Sequence, residues 1–132
     1  MNLALLNILM SWAVMLSPYS TPDVLPEIQY KPKSFFVESA CKGNTKCDIW
    51  GWYNDNGIVY LIDWMDVEDN NMIINSYLVH ELVHYLQDIN DNGGTSCENI
   101  NRREREAYYI QRKFLVQNGI LPAISTKQHW CK

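Results

Sequence analysis

Positive charge is in short supply: eleven Lys and Arg stand against fifteen Asp and Glu in 132 residues, for a formal charge of −4. A nucleic-acid module normally presents a basic face, so no nucleic-acid partner is expected. There is no uninterrupted apolar run of about 20 residues, the length a membrane-spanning helix requires. A mean hydropathy of −0.26 excludes a polytopic membrane protein, while leaving room for one apolar segment. The four cysteines include no CxxC pair, which argues against a zinc knuckle or a redox dithiol. No internal repeat or low-complexity tract is visible. What is present suffices for one core: 47% of residues are hydrophobic and 12% aromatic, too apolar a composition for a disordered chain. The length accommodates one domain and nearly excludes two.

The opening sixteen residues, MNLALLNILMSWAVML, carry no charge. They lack the basic n-region and the small-residue exit of a secretory signal. Three readings stay open for residues 1–17: a helix of the domain, a signal, or an anchor reaching a membrane through residues 3–16. In the first, Asn7 and Ser11 share a helical face, while Leu3, Leu6, Met10 and Ala13 occupy others. Residues 18–34 hold four of the five prolines and read as an extended connector leading into a domain over 35–132. Cys41 and Cys47 enclose the loop KGNTK; Cys97 and Cys131 stand apart. An even count without CxxC favours disulfides, and of the three pairings Cys41–Cys47 with Cys97–Cys131 is expected. Disulfides imply an oxidising compartment, so the expected location is periplasmic, secreted or membrane-tethered.

Phe35-Phe36-Val37 reads as a short strand. The β-rich runs Asp48–Tyr53 and Ile58–Ile62 flank Asn54-Asp55-Asn56-Gly57, which predicts a hairpin over 48–62. Asp66, Asp69 and Asn70 are candidate N-caps for a helix over about 70–91, in which apolar residues recur every three or four positions until Gly93-Gly94. A second helix is expected over about 98–118, ended by Gly119.

The first of these helices contains His80-Glu81-Leu82-Val83-His84. Histidines at i and i+4 project from one helix face, so both imidazoles reach a single ion at about 2.0–2.1 Å. Glu81 is rotated from the first ligand by about 100°, where it serves as general base rather than ligand. A catalytic zinc needs a third protein ligand and an open fourth position. The metzincin continuation is absent, because Gln87 and Asn90 stand where Gly and His are required. His129 is a remote candidate. The second helix offers two carboxylates, Glu104 and Glu106.

The marks CKGNTKC, GWY, IVYL, LVHELVHYLQ, SCE and REREAYYIQ resemble a small bacterial family of HExxH proteins related in its core to the minigluzincins. In gluzincin-type zinc metallopeptidases the third ligand opens an E-x-x-A/S-D/N pattern on a following helix. Glu104-Arg105-Glu106-Ala107-Tyr108 matches up to Tyr108, which stands where an Asp or Asn usually supports the first histidine. Glu104 shares a face with Ala107, Tyr108 and Gln111, which favours it over Glu106. The resemblance implies an α+β fold, with a small twisted sheet packed on the active helix and the glutamate helix behind it, and one Zn²⁺ held by His80, His84 and Glu104. It further implies a peptide or protein substrate, hydrolysed with Glu81 passing a proton from water to the leaving amine. Tyr108, Tyr109, Tyr85 and His129 are candidates for steadying the oxyanion, with Tyr108 the choice carried forward. The Ile58–Ile62 strand is expected to pair with an extended substrate, and the chain to act as a monomer. The rival readings are a zinc-stabilised interaction domain without catalysis and a membrane-tethered inhibitor or immunity-type protein.

Overall fold

The computed structural model describes residues 1–66, 71–90, 94–122 and 131. Among them the architecture is α+β: four helices and a mixed three-stranded sheet. Helix α1 spans Leu3–Met15, its first turn closed by Asn2, whose side chain accepts from the Ala4 N–H at 2.7 Å. Leu6, Leu9, Met10 and Ala13 form the buried stripe that the three- and four-residue spacing demands, and α1 packs on the helix that carries the HExxH motif. Trp12 meets Phe114 edge-on, with ring centroids 5.6 Å apart. No described helix is long and apolar enough to cross a membrane. Leu9 is only 2% exposed. Leu9→Ala should therefore cost about 2–5 kcal/mol, measured by denaturant unfolding. A loss below about 1 kcal/mol would show that α1 is not part of the cooperative unit.

Residues 18–34 depart from the patternless connector expected of them. Strand β1, Glu27–Lys31, lies inside the segment and pairs in parallel with β3, from Glu27↔Ile58 to Lys31↔Ile62. Pro26 and Pro32 flank these five residues without interrupting them, so every strand N–H survives. Phe35–Val37 is likewise no strand. Helix α2, Lys33–Phe35, runs into a π-helical turn over Phe36–Ala40 that buries Phe36 and Val37. Pro32 sets the chain up for a helix start, and three apolar residues are too few to display a strand period.

The hairpin forms, with β2 limited to Gly51–Tyr53 and β3 over Ile58–Ile62 in antiparallel register, Gly51↔Leu61 to Tyr53↔Val59. Its turn places Asp55 and Gly57 at positive φ. The order β1-β3-β2 puts β3 in the centre, so the strand expected to receive a substrate has both edges taken, and among the described residues the outer strand beside the HExxH helix is β2.

Helix α3, Met72–Asn90, is capped by Asn71, which accepts from the N–H groups of Ile73 and Ile74; Asp66 instead ends a 3₁₀ turn over Asp63–Met65. The other two expected caps, Asp69 and Asn70, lie outside the described residues. Helix α4, Cys97–Gln117, starts at a Ser96 cap. It ends where Gly119, at φ 78°, lets the Ile120 N–H return to the Leu115 carbonyl. Leu78, Val79, Leu82, Val83 and Leu86 of α3 fill the centre of the core against Ala107, Ile110, Phe114 and Leu115 of α4. Both expected disulfides, Cys41–Cys47 and Cys97–Cys131, are formed.

Candidate metal centre

Packing α3 on α4 buries polar side chains within the shared interface, and they sit where the two helices carry chemistry. His80 and His84, one turn apart on α3, turn their Nε2 atoms toward each other at 3.2 Å. Glu104 comes across from α4: its Oε1 is 3.6 Å from His80 Nε2 and in closer contact with His84 Nε2. These three donors form the one cluster of metal-ligating type among the described residues. A tetrahedral ion with bonds of about 2.0–2.1 Å holds its ligand atoms roughly 3.3–3.4 Å apart. Two of the three separations, 3.2 and 3.6 Å, bracket that edge, while the closer His84–Glu104 contact is that of a hydrogen bond and must lengthen to admit an ion; with that adjustment two imidazoles and a carboxylate can hold one metal ion.

Glu106, the alternative third ligand, is not brought to the histidines. Its Oε1 accepts from Tyr19 Oη at 2.5 Å and from Gln87 Nε2 at 3.0 Å, on the far side of Gln87 from His84. The face argument decides this: residues two apart on a helix point about 200° apart, and Glu104 takes the inward bearing. Tyr108 lies with its ring edge-on to His80, centroids 4.4 Å apart. Tyr85 is committed elsewhere, donating its hydroxyl to the Val24 carbonyl at 2.5 Å, and Tyr109 is half exposed beneath Lys113. His129 lies outside the described residues.

Glu81 is 8% exposed, with Oε2 3.9 Å from His80 Nε2. It stands against Gly51 of β2, where a Cβ would fall 3.0 Å from Glu81 Cγ and 3.2 Å from its Oε2. The glycine leaves room for the carboxylate: an added Cβ would press on the Glu81 side chain, which would have to give by a few tenths of an ångström. Burial pushes the Glu81 carboxyl above the usual range, against the pull of His80 and His84 and of the Tyr53 backbone N–H that donates to it.

Burial would raise Glu104 too, but hydrogen bonds and charge from His80 and His84 outweigh it and hold Glu104 well below the carboxylate range. Burial lowers His84, yet the Glu104 hydrogen bond and charge, with Glu81, carry it up to about 9 from 6.5. The sign follows for the metal-free chain. His84 contributes stability that is complete below 6.5 and lost as pH rises through about 9. The Glu104 share is present above its ordinary 4.5 and lost as pH falls below that. An incoming cation must displace the His84 proton, so apparent metal affinity should rise about tenfold per pH unit across the neutral range. Calorimetry in buffers of different ionisation heat should show about one proton released per ion. An affinity flat from pH 6 to 8 would exclude this pairing.

The sequence reading missed two supports. Gln111 Oε1 lies 3.0 Å from His80 Nδ1, filling the place left in doubt by Tyr108, and Gln87 Oε1 lies 2.8 Å from His84 Nδ1. Both glutamines are fully buried. Their helical spacing was the available signal: Gln87 follows His84 by three residues and Gln111 follows Glu104 by seven.

No curated protein and no solved structure matches the chain. Residues 1–130 match the family described as Domain of unknown function (DUF6647), and with nearly its whole length covered the chain belongs to that family.

Proposed function

We propose that the chain is a zinc-dependent, peptidase-like hydrolase. The observation that carries this reading is the convergence of His80, His84 and Glu104 beside the buried Glu81. Zinc suits two imidazoles and a carboxylate, and when bound there it supplies Lewis acidity that polarises a carbonyl and makes water acidic near neutral pH. Glu81, held against Gly51 and raised by burial, takes a proton from the attacking water and passes it to the leaving amine. Tyr108, packed on His80, is the side chain we assign to the developing oxyanion. An extended peptide runs along the outer edge of β2, where Gly51 borders Glu81 and the Tyr53 N–H donates to its carboxylate.

Two features favour catalysis over a structural ion. Among the described residues the cluster has three ligands rather than the four of a closed site. Its Glu104 and His84 side chains are 22% and 16% exposed, against 8% for His80, so the cluster is less enclosed on the Glu104 side. The disulfides fit an extracytoplasmic location. The test is hydrolysis of a quenched-fluorescent peptide library by the full chain, abolished by chelation and restored by one equivalent of zinc. Zinc uptake without any cleavage would leave the interaction-domain reading standing and remove this one.

A further inference from the structure

Each histidine of the centre begins a hydrogen-bonded chain whose far end is a group that only accepts. From His84, Gln87 Oε1 faces Nδ1 at 2.8 Å, while Gln87 Nε2 donates to the Arg103 carbonyl and to Glu106 Oε1, both at 3.0 Å. Neither oxygen supplies a proton to the amide. A reversed Gln87 amide would set its carbonyl oxygen against both, so the amide has one tolerable orientation. From His80, Gln111 Oε1 faces Nδ1 at 3.0 Å and Gln111 Nε2 donates to Ser76 Oγ at 3.2 Å. The Ser76 hydroxyl proton is already given to the Ile73 carbonyl at 2.6 Å, which leaves that oxygen as acceptor. This second chain is also polarised, by a backbone group on α3 itself.

We propose that Gln87 and Gln111 are positioning residues that fix both imidazoles as Nδ1–H tautomers. An amide oxygen accepts only, so each Nδ1 must carry the proton, and each Nε2 lone pair is left to aim at the point it shares with Glu104. Two neutral amides do here what carboxylates do elsewhere. They add no negative charge beside Glu81 and Glu104, with Glu106 already standing behind Gln87. Glu106 thereby acts at one remove, holding the Gln87 amide rather than an ion. The inference rests on the metal-centre reading, and its tests separate the two.

Zinc affinity, read by competition with a chromophoric chelator, should fall about 10–100-fold in Gln87→Leu and in Gln111→Leu. Gln111→Glu is the discriminating variant. It keeps an accepting oxygen opposite His80 but sets a second acceptor against Ser76 Oγ, whose hydroxyl proton is held by the Ile73 carbonyl. It also buries a charge, so its metal-free form should unfold at a lower temperature than Gln111→Leu while binding zinc more tightly. A packing role ranks the two variants in the same order on both measurements. Independently of metal, imidazole nitrogen spectra of the metal-free chain in alkaline solution should place the ring proton on Nδ1 of both histidines. A proton on Nε2 of either ring, or leucine variants that bind zinc as the parent does, would overturn the tautomer assignment alone. A parent chain that takes up no zinc would sink it together with the metal centre.

Discussion

Glu81→Gln should reduce peptide hydrolysis by about 10²–10⁴-fold in kcat/KM while zinc content stays at that of the parent chain. The carboxylate is not among the three converging ligand atoms, so removing its proton chemistry leaves the ion's holders in place. The amide is nearly isosteric and fits the same space against Gly51. It also relieves a cost. A carboxyl whose folded value is raised by burial destabilises the fold increasingly as pH rises above its ordinary 4.5. In neutral solution the metal-free Glu81→Gln chain should therefore unfold at or above the parent's temperature. Intact turnover would remove Glu81 from the reaction, whereas lost turnover accompanied by lost zinc would assign it to holding the ion.

The second large effect separates two carboxylates two residues apart. Glu104→Ala should abolish stoichiometric zinc uptake, weakening affinity by more than the roughly 100-fold upper end expected for an outer support. It also strips His84 of the partner that holds its pKa up, leaving burial to dominate. Glu106→Ala should keep zinc within about tenfold of the parent, because the Arg103 carbonyl still orients the Gln87 amide. Its cost is to stability, about 1–3 kcal/mol, as the Tyr19 hydroxyl and the Gln87 amide lose their shared acceptor. Metal analysis of the two variants side by side decides the assignment. Equal zinc in both would take Glu104 out of the centre.

How much of this was legible in the residues varied with the range of the signal. His80, Glu81 and His84 announce themselves because one helical turn is a local geometry that sequence spacing encodes directly. Glu104 could be preferred over Glu106 for the same reason: a helix sorts residues by bearing, and Ala107 marks the side where α4 approaches α3 closely. Strand β1 was hidden because its partner lies about thirty positions away and its prolines dominate the local signal, although they fall just outside the paired residues. The cap of α3 slipped to Asn71 because a run of acidic and amide residues offers several equivalent caps, among which tertiary packing chooses. Gln87 and Gln111 carry no local mark of a supporting role, although Gln111 falls on the helix face of Glu104. Only the closing of one helix on another reveals that both are sealed from solvent.

The close approach of Glu81 to Gly51 has an evolutionary corollary. Two positions thirty residues apart share one small volume, so a side chain arriving at the strand position presses on the acid. Relatives that retain the acid should favour the bare backbone opposite it. A relative with a methyl group there and an intact HExxH segment should show its glutamate re-aimed by a few tenths of an ångström.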